Sequence, residues 1–154
     1  MVVAGIKPIP SGYHTVMPHL INEDASRLIE FLQRVFDAQE INRLAGPDGR
    51  VLHAELKIGD SIVMIGEASQ EWKAMPASIV VNVDDVDAIY NRAIEAGAIS
   101  LREPEDQFYG DRSGGVKDLA GNHWWIATHI EDVSPDELKL RAERWMKERT
   151  HVKI

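Results

Sequence analysis

Two stretches of this chain carry the same apolar pattern, 61 residues apart, the separation of Asp24 from Asp85. In the first, Asn22 and Asp24 are candidate caps for a helix. Ala25, Leu28, Ile29, Leu32, Val35 and Phe36 then recur at helical spacing. In the second, Asp84 and Asp85 precede Val86, Ile89, Tyr90, Ala93 and Ile94, and Gly97 ends the run as a left-handed residue would. Placing Asp24 on Asp85 brings Ala25, Leu28, Ile29 and Leu32 onto Val86, Ile89, Tyr90 and Ala93. Four coincident positions within the same order of elements imply an internal duplication.

Each helix sits among strands. Residues 13–22 (YHTVMPHLIN) read as a first strand, with Pro18 asking for an edge or a bulge. Residues 39–45 are strand-like, and Gly46-Pro47-Asp48-Gly49 is a turn. Residues 51–58 (VLHAELKI) alternate, with Leu52, Ala54, Leu56 and Ile58 on one face and Val51, His53, Glu55 and Lys57 on the other. Gly59-Asp60 turns the chain into residues 61–65. The second copy offers strands at 77–83 and 99–103, then a hairpin. Its arms are 109–117 and 122–129, joined by Asp118-Leu119-Ala120-Gly121. On the returning arm, His123, Trp125, Ala127 and His129 alternate with Trp124, Ile126 and Thr128. One set is expected to face a helix layer and the other a cavity. Both copies thus read as βαβββ units.

The tail reads as a third helix. Ser134 is its N-cap, Pro135 takes the first helical position, and Glu137 completes a capping box. Val133 and Leu138 form a staple, and Leu138, Ala142 and Trp145 form a stripe that packs on the domain or on a partner subunit. The expected layout is an arm over 1–12, one domain of two modules over 13–130 (about 13–75 and 76–130), and a helix and tail over 131–154.

Composition excludes several classes. None of the 154 residues is Cys, so disulfides, zinc–thiolate sites and thiol nucleophiles are absent. No run of about 18 apolar residues exists to cross a membrane. The opening MVVAGIKPIPSGY has too short an apolar stretch and too many prolines for a signal peptide. A cytoplasmic location fits these features. A net charge of −8 argues against nucleic-acid and anionic-membrane partners.

The segments YHTVMPHLI, IEFLQRVFDA, GPDGRVLHAELKIGDSIVMI, VNVDDVDAIYNRAIEAGA and QFYGDRSGGVKDLAGNHWWIATHIEDVSPDEL resemble the PhnB-like branch of the glyoxalase/bleomycin-resistance proteins. That branch lies within the vicinal oxygen chelate superfamily. The resemblance spans about residues 13–140, most specifically in YGDRSG, D-x-x-G-N-x-W and HIEDVSPDEL. Leu119 stands where that branch usually has Pro, and Asp37 where its helix usually ends in Gly. The resemblance implies an α+β fold of two βαβββ modules forming a cupped mixed sheet, with a C-terminal helix and a ligand on the concave side; open sheet edges and exposed apolar strips in such modules favour a homodimer. Metal-dependent members place four ligands there. Carried over by motif, those positions are Met17, Glu55, Ser78 and Trp125. Only Glu55 is a metal-ligand type. The expectation is therefore no metal and no cofactor.

Strand parity then gathers polar candidates on the inner face: His19, His53, Glu55, Lys57, His123 and Trp125. Three imidazoles and a carboxylate are of the right type for an unorthodox metal site, but the leading reading is separate polar residues lining a wet pocket. His53 and Glu55, two apart on one strand, are the candidates for acid–base work, since a partly apolar cup could raise the Glu55 pKa; the leading alternative is a cross-strand pairing with a Lys or Arg. Tyr109 and Arg112 are further candidates for contact with a small-molecule ligand, although Arg112 could equally pair with an acidic neighbour. The functional expectation is a metal-free binding protein. The rival is a lyase, isomerase or dioxygenase-type enzyme using Glu55 and a histidine, with or without a divalent metal.

Overall fold

The computed structural model describes residues 4–151. The chain divides into two compact units. One runs to Ala77 and includes Asp118–Asn122; the other comprises Ser78–Lys117 and the chain from His123 onward.

The first unit holds β1 (His19–Asn22), α1 (Ala25–Phe36), β2 (Gln39–Ala45), β3 (Val51–Ile58) and β4 (Ser61–Glu67). Its sheet runs β1-β4-β3-β2, with β1 parallel to β4 and the other pairs antiparallel. Asp24, rather than Asn22, caps α1, its carboxylate accepting from the Arg27 N–H at 3.1 Å. The stripe Ala25, Leu28, Ile29, Leu32 and Val35 is buried, as are Leu20, Ala54, Leu56 and Ile65 on the sheet. Burying a large aliphatic side chain is worth about 1.5–3 kcal/mol, so this layer holds the unit together. Asp37 closes α1 at φ 53°, a left-handed position usually given to glycine.

Two expectations are corrected here. The first strand begins at His19, not at residue 13. Pro18 has no N–H to give a ladder, and only its carbonyl joins the sheet, accepting from Met64 N at 2.9 Å. Leu52 is 57% exposed while Val51 is fully buried, the reverse of the expected alternation. This reversal lies beside a register irregularity between Leu44 and Ala45.

The second unit repeats the plan with β5 (Ser78–Asn82), α2 (Val86–Glu95), β6 (Ile99–Asp106), β7 (Asp111–Lys117) and β8 (His123–His129), followed by α3 (Pro135–His151). Its order, β5-β8-β7-β6 with β5 parallel to β8, is that of the first sheet position for position. Asp85 caps α2 through the Ala88 N–H at 3.0 Å, and Gly97 follows the helix at φ 97°. Val86, Tyr90 and Ala93 are buried on α2, and Val116, Trp124 and Ile126 are buried on the sheet. Thr128 ties the face together, its hydroxyl donating to Val83 O and accepting from Val86 N, both at 2.9 Å.

β6 runs three residues further than the sequence suggested and carries two irregularities, one on each side of Arg102. α3 begins as expected, Ser134 Oγ accepting from Glu137 N at 3.3 Å. The reciprocal half of the capping box is replaced: the Glu137 carboxylate accepts from Arg141 Nε at 2.9 Å. Trp145 packs on Phe108 with ring centroids 5.3 Å apart, and Arg141 grips Glu131 at 2.7 and 2.8 Å. No helix among the described residues is long and apolar enough to cross a membrane.

Candidate functional site

In the first unit, cross-strand register places His19 beside Met64 and Met64 beside Glu55. Paired residues share a face, and this face lies opposite the one buried under α1. Glu55 is 9% exposed. Its Oε2 accepts a short hydrogen bond from the Tyr13 hydroxyl, and its Oε1 lies 3.2 Å from His53 Nε2. The His19 ring meets His53 edge to face at 6.2 Å. Lys57, next along β3 on this face, is exposed. Tyr13 was not among the sequence candidates. It lies 42 residues from Glu55, and no local pattern links them.

The expected raised pKa of Glu55 is overturned. The Tyr13 hydroxyl bond lowers it most; burial pushes upward, but the bond and charge of His53 lower it further. The phenol of Tyr13 is raised in turn, chiefly because its hydrogen bond is made to a carboxylate. A carboxylate held below its usual 4.5 is a weaker proton acceptor. It also couples folding to pH. Because the folded value is depressed, this stabilisation is present above the unfolded value and is lost as pH falls through the folded one. Glu55→Gln is expected to cost about 1–2 kcal/mol at neutral pH, the loss of a charge-assisted hydrogen bond. That difference from the parent should shrink below pH 4.5, in urea denaturation series taken across the acid range.

In the second unit, Val80, Trp125, Gly115 and Arg102 form one cross-strand row. Trp125 is half-buried on one face of β8, and Trp124 is fully buried on the other. The indole of Trp125 lies across the backbone of Gly115, where a Cβ would collide with its ring carbons. At Gly114 a Cβ would fit only tightly, against Arg102 O and Pro104. Over the indole, the Arg102 guanidinium carbon stands 5.3 Å from the ring centroid. A cavity of about 400 Å³ opens here, lined by Val80, Arg102, Tyr109, Ser113 and Trp125 among others. That volume suits a small organic ligand.

The remaining candidates are placed apart from this cavity. His123 is half-buried, paired across the sheet with Ser78 and Lys117. Arg112 pairs in register with Thr128, on the α2 side of the sheet. Its guanidinium is engaged by Asp87 at 2.7 and 2.9 Å and by Asp106 at 3.0 Å. The acidic-neighbour alternative for Arg112 is thus the arrangement found. Arg102 and Ser113 were missed by sequence reasoning. The irregularities around Arg102 break the simple alternation that would have assigned its face.

The family's metal positions do not fit a divalent ion. Met17 offers a soft thioether, Ser78 a weak hydroxyl, and Trp125 no lone pair for ligation. Glu55, the single suitable donor, is already held by Tyr13 and His53. Among the described residues, no group of three or more His, Cys, Asp or Glu side chains is placed to hold a metal.

A family model described as the Glyoxalase/Bleomycin resistance protein/Dioxygenase superfamily matches residues 13–126. The uncharacterized protein Mb0911c of Mycobacterium bovis is 38% identical over 133 residues, 79% of this chain and 88% of that protein. Among solved structures, TioX from Micromonospora sp. ML1 aligns with a TM-score of 0.65 and 28% identity, over 76% of this chain and 100% of its own. The PhnB protein from Bacillus cereus aligns with a TM-score of 0.62 over 75% of this chain and 99% of its own. At 16% identity it shares the fold alone.

Proposed function

The chain belongs to the glyoxalase/bleomycin-resistance/dioxygenase superfamily, the vicinal oxygen chelate proteins, and within it we propose that it acts as a metal-free small-molecule-binding protein. A flat ligand rests on Trp125 and is sequestered there. The observation that carries this reading is the indole laid over Gly115 at the wall of a cavity of about 400 Å³. The ring is seated on bare backbone, with the Arg102 guanidinium 5.3 Å from its centroid, and it borders the cavity without being part of the packed layer under α2. Aromatic faces stack on planar groups and attract cations. The donor set at the family's metal positions supports the metal-free part.

A second reading, acid–base catalysis by Glu55 and His53, is favoured by their contact at 3.2 Å. The depressed Glu55 pKa weighs against it as a base, so the binding reading stands ahead.

The two separate in one experiment. Thermal unfolding is followed with a panel of planar aromatic compounds on the parent, Trp125→Leu and Glu55→Gln. A compound at about 100 times its Kd adds about 2.7 kcal/mol to the native state. That stabilisation should vanish in Trp125→Leu and persist in Glu55→Gln. The opposite pattern, or a chelator-induced fall in Tm with stoichiometric metal in the purified protein, would replace the first reading with the second.

A further inference from the structure

We infer that the cavity on Trp125 takes a planar aromatic carboxylate, whose anionic group is received by Arg102. This rests on the reading of Trp125 as the ligand platform and adds the ligand's charge.

Arg102, Arg112 and Arg141, all in the second unit, are partnered in different ways. Arg112 is engaged by Asp87 and Asp106. Arg141 is engaged by Glu131 and Glu137. Each of these two guanidiniums is shared between two carboxylates. Arg102, which lines the cavity, has no such arrangement. Its Nη2 donates to the Ser113 hydroxyl at 2.5 Å. Its Nε is buried and has no hydrogen-bond partner among the described residues. The nearest carboxylate oxygen in an ion pair with it, Glu105 Oε1, stands 3.7 Å away on an exposed side chain, beyond hydrogen-bonding distance.

The Arg102 side chain as a whole is 35% exposed, so part of its set of donors is open to the cavity that it lines. The guanidinium is a planar fork of donors that matches a carboxylate in two parallel bonds. Its carbon lies 5.3 Å from the Trp125 ring centroid. An acceptor reaching that fork therefore brings whatever it is attached to alongside the indole in the same cavity, and a flat aromatic body packs well against an indole edge and a guanidinium plane. Asp111 limits the charge. It also lines the cavity, its carboxylate held at 2.8 Å by His129 Nδ1, and it would repel a second anionic group. The class is thus an aromatic monoanion.

The test is calorimetric titration of the full chain with 2-naphthoate and with 2-naphthamide, which share a ring system and differ in charge. The parent should bind the carboxylate at least about tenfold more tightly than the amide, as charge-assisted bonds are about twice as strong as neutral ones. In Arg102→Gln that preference should disappear while the amide still binds. Added salt should weaken the carboxylate alone. Equal binding of the two probes by the parent overturns the inference and leaves the Trp125 platform standing. A preference that survives in Arg102→Gln also overturns it, since the anion would then be received elsewhere. If neither probe binds the parent, both the inference and the platform fall. The parent's own ratio decides the matter even if Arg102→Gln folds poorly.

Discussion

Trp124→Ala is expected to lose about 3–5 kcal/mol of stability, and Trp125→Ala less than about 1.5 kcal/mol, although the two residues are adjacent and chemically identical. Trp124 is fully buried with Ile126 and Val116, on the side of the sheet that α2 covers. Truncation there leaves a void that neighbouring side chains cannot fill. Trp125 has its ring over Gly115 and borders a cavity, so truncation enlarges a space that already exists. Guanidinium denaturation of both variants measures the difference directly. Were Trp125→Ala the more damaging, the faces of β8 would be exchanged, and His123 would move with them.

Asn122→Ala is expected to cost about 2–4 kcal/mol, far more than its place in a hairpin connection suggests. Its side chain has no exposure. The amide donates to Asp118 Oδ2 at 2.9 Å and to Asn22 Oδ1 at 3.2 Å, and its own oxygen accepts from Ala77 N at 3.0 Å. Asp118 and Asn22 are themselves buried. Alanine would take a donor from the buried Asp118 carboxylate and the buried Asn22 amide oxygen, and an acceptor from Ala77 N. Leu119→Ala, in the same connection but 57% exposed, is the control and should stay within about 0.5 kcal/mol. Equal urea midpoints for the two variants would refute the argument.

Much of the architecture could be read from local pattern. The duplication rested on helical spacing and capping residues, which act within a few positions of one another. Asp24, Asp85 and Gly97 therefore took the places expected of them. The limits of β2 and β3 and the opposite faces of Trp124 and Trp125 followed from turn residues and period two. What escaped depends on long-range pairing. Tyr13 meets Glu55 across 42 residues, and Asn22 meets Asn122 across 100. Asn22 looked like a helix cap because nothing nearby in the chain announces its distant partner. Arg112 shows the same limit. Its face follows from register with Thr128, which the sequence of one arm alone does not state. Arg102 was hidden by irregular pairing, which cancels the parity argument where the cavity needs it.

Gly115 and Trp125 also bind each other's inheritance. A glycine codon becomes alanine, serine, valine or aspartate by single-base change, and each adds a carbon where the indole now rests. Such a change would evict the ring without opening the layer beneath α2, so a descendant could keep its fold and lose its cavity wall unnoticed by any assay of folding. The two positions are therefore expected to vary as a pair among relatives. A lineage that acquires a side chain at 115 is released from any requirement for tryptophan at 125, and with it from the cavity wall that the ring forms.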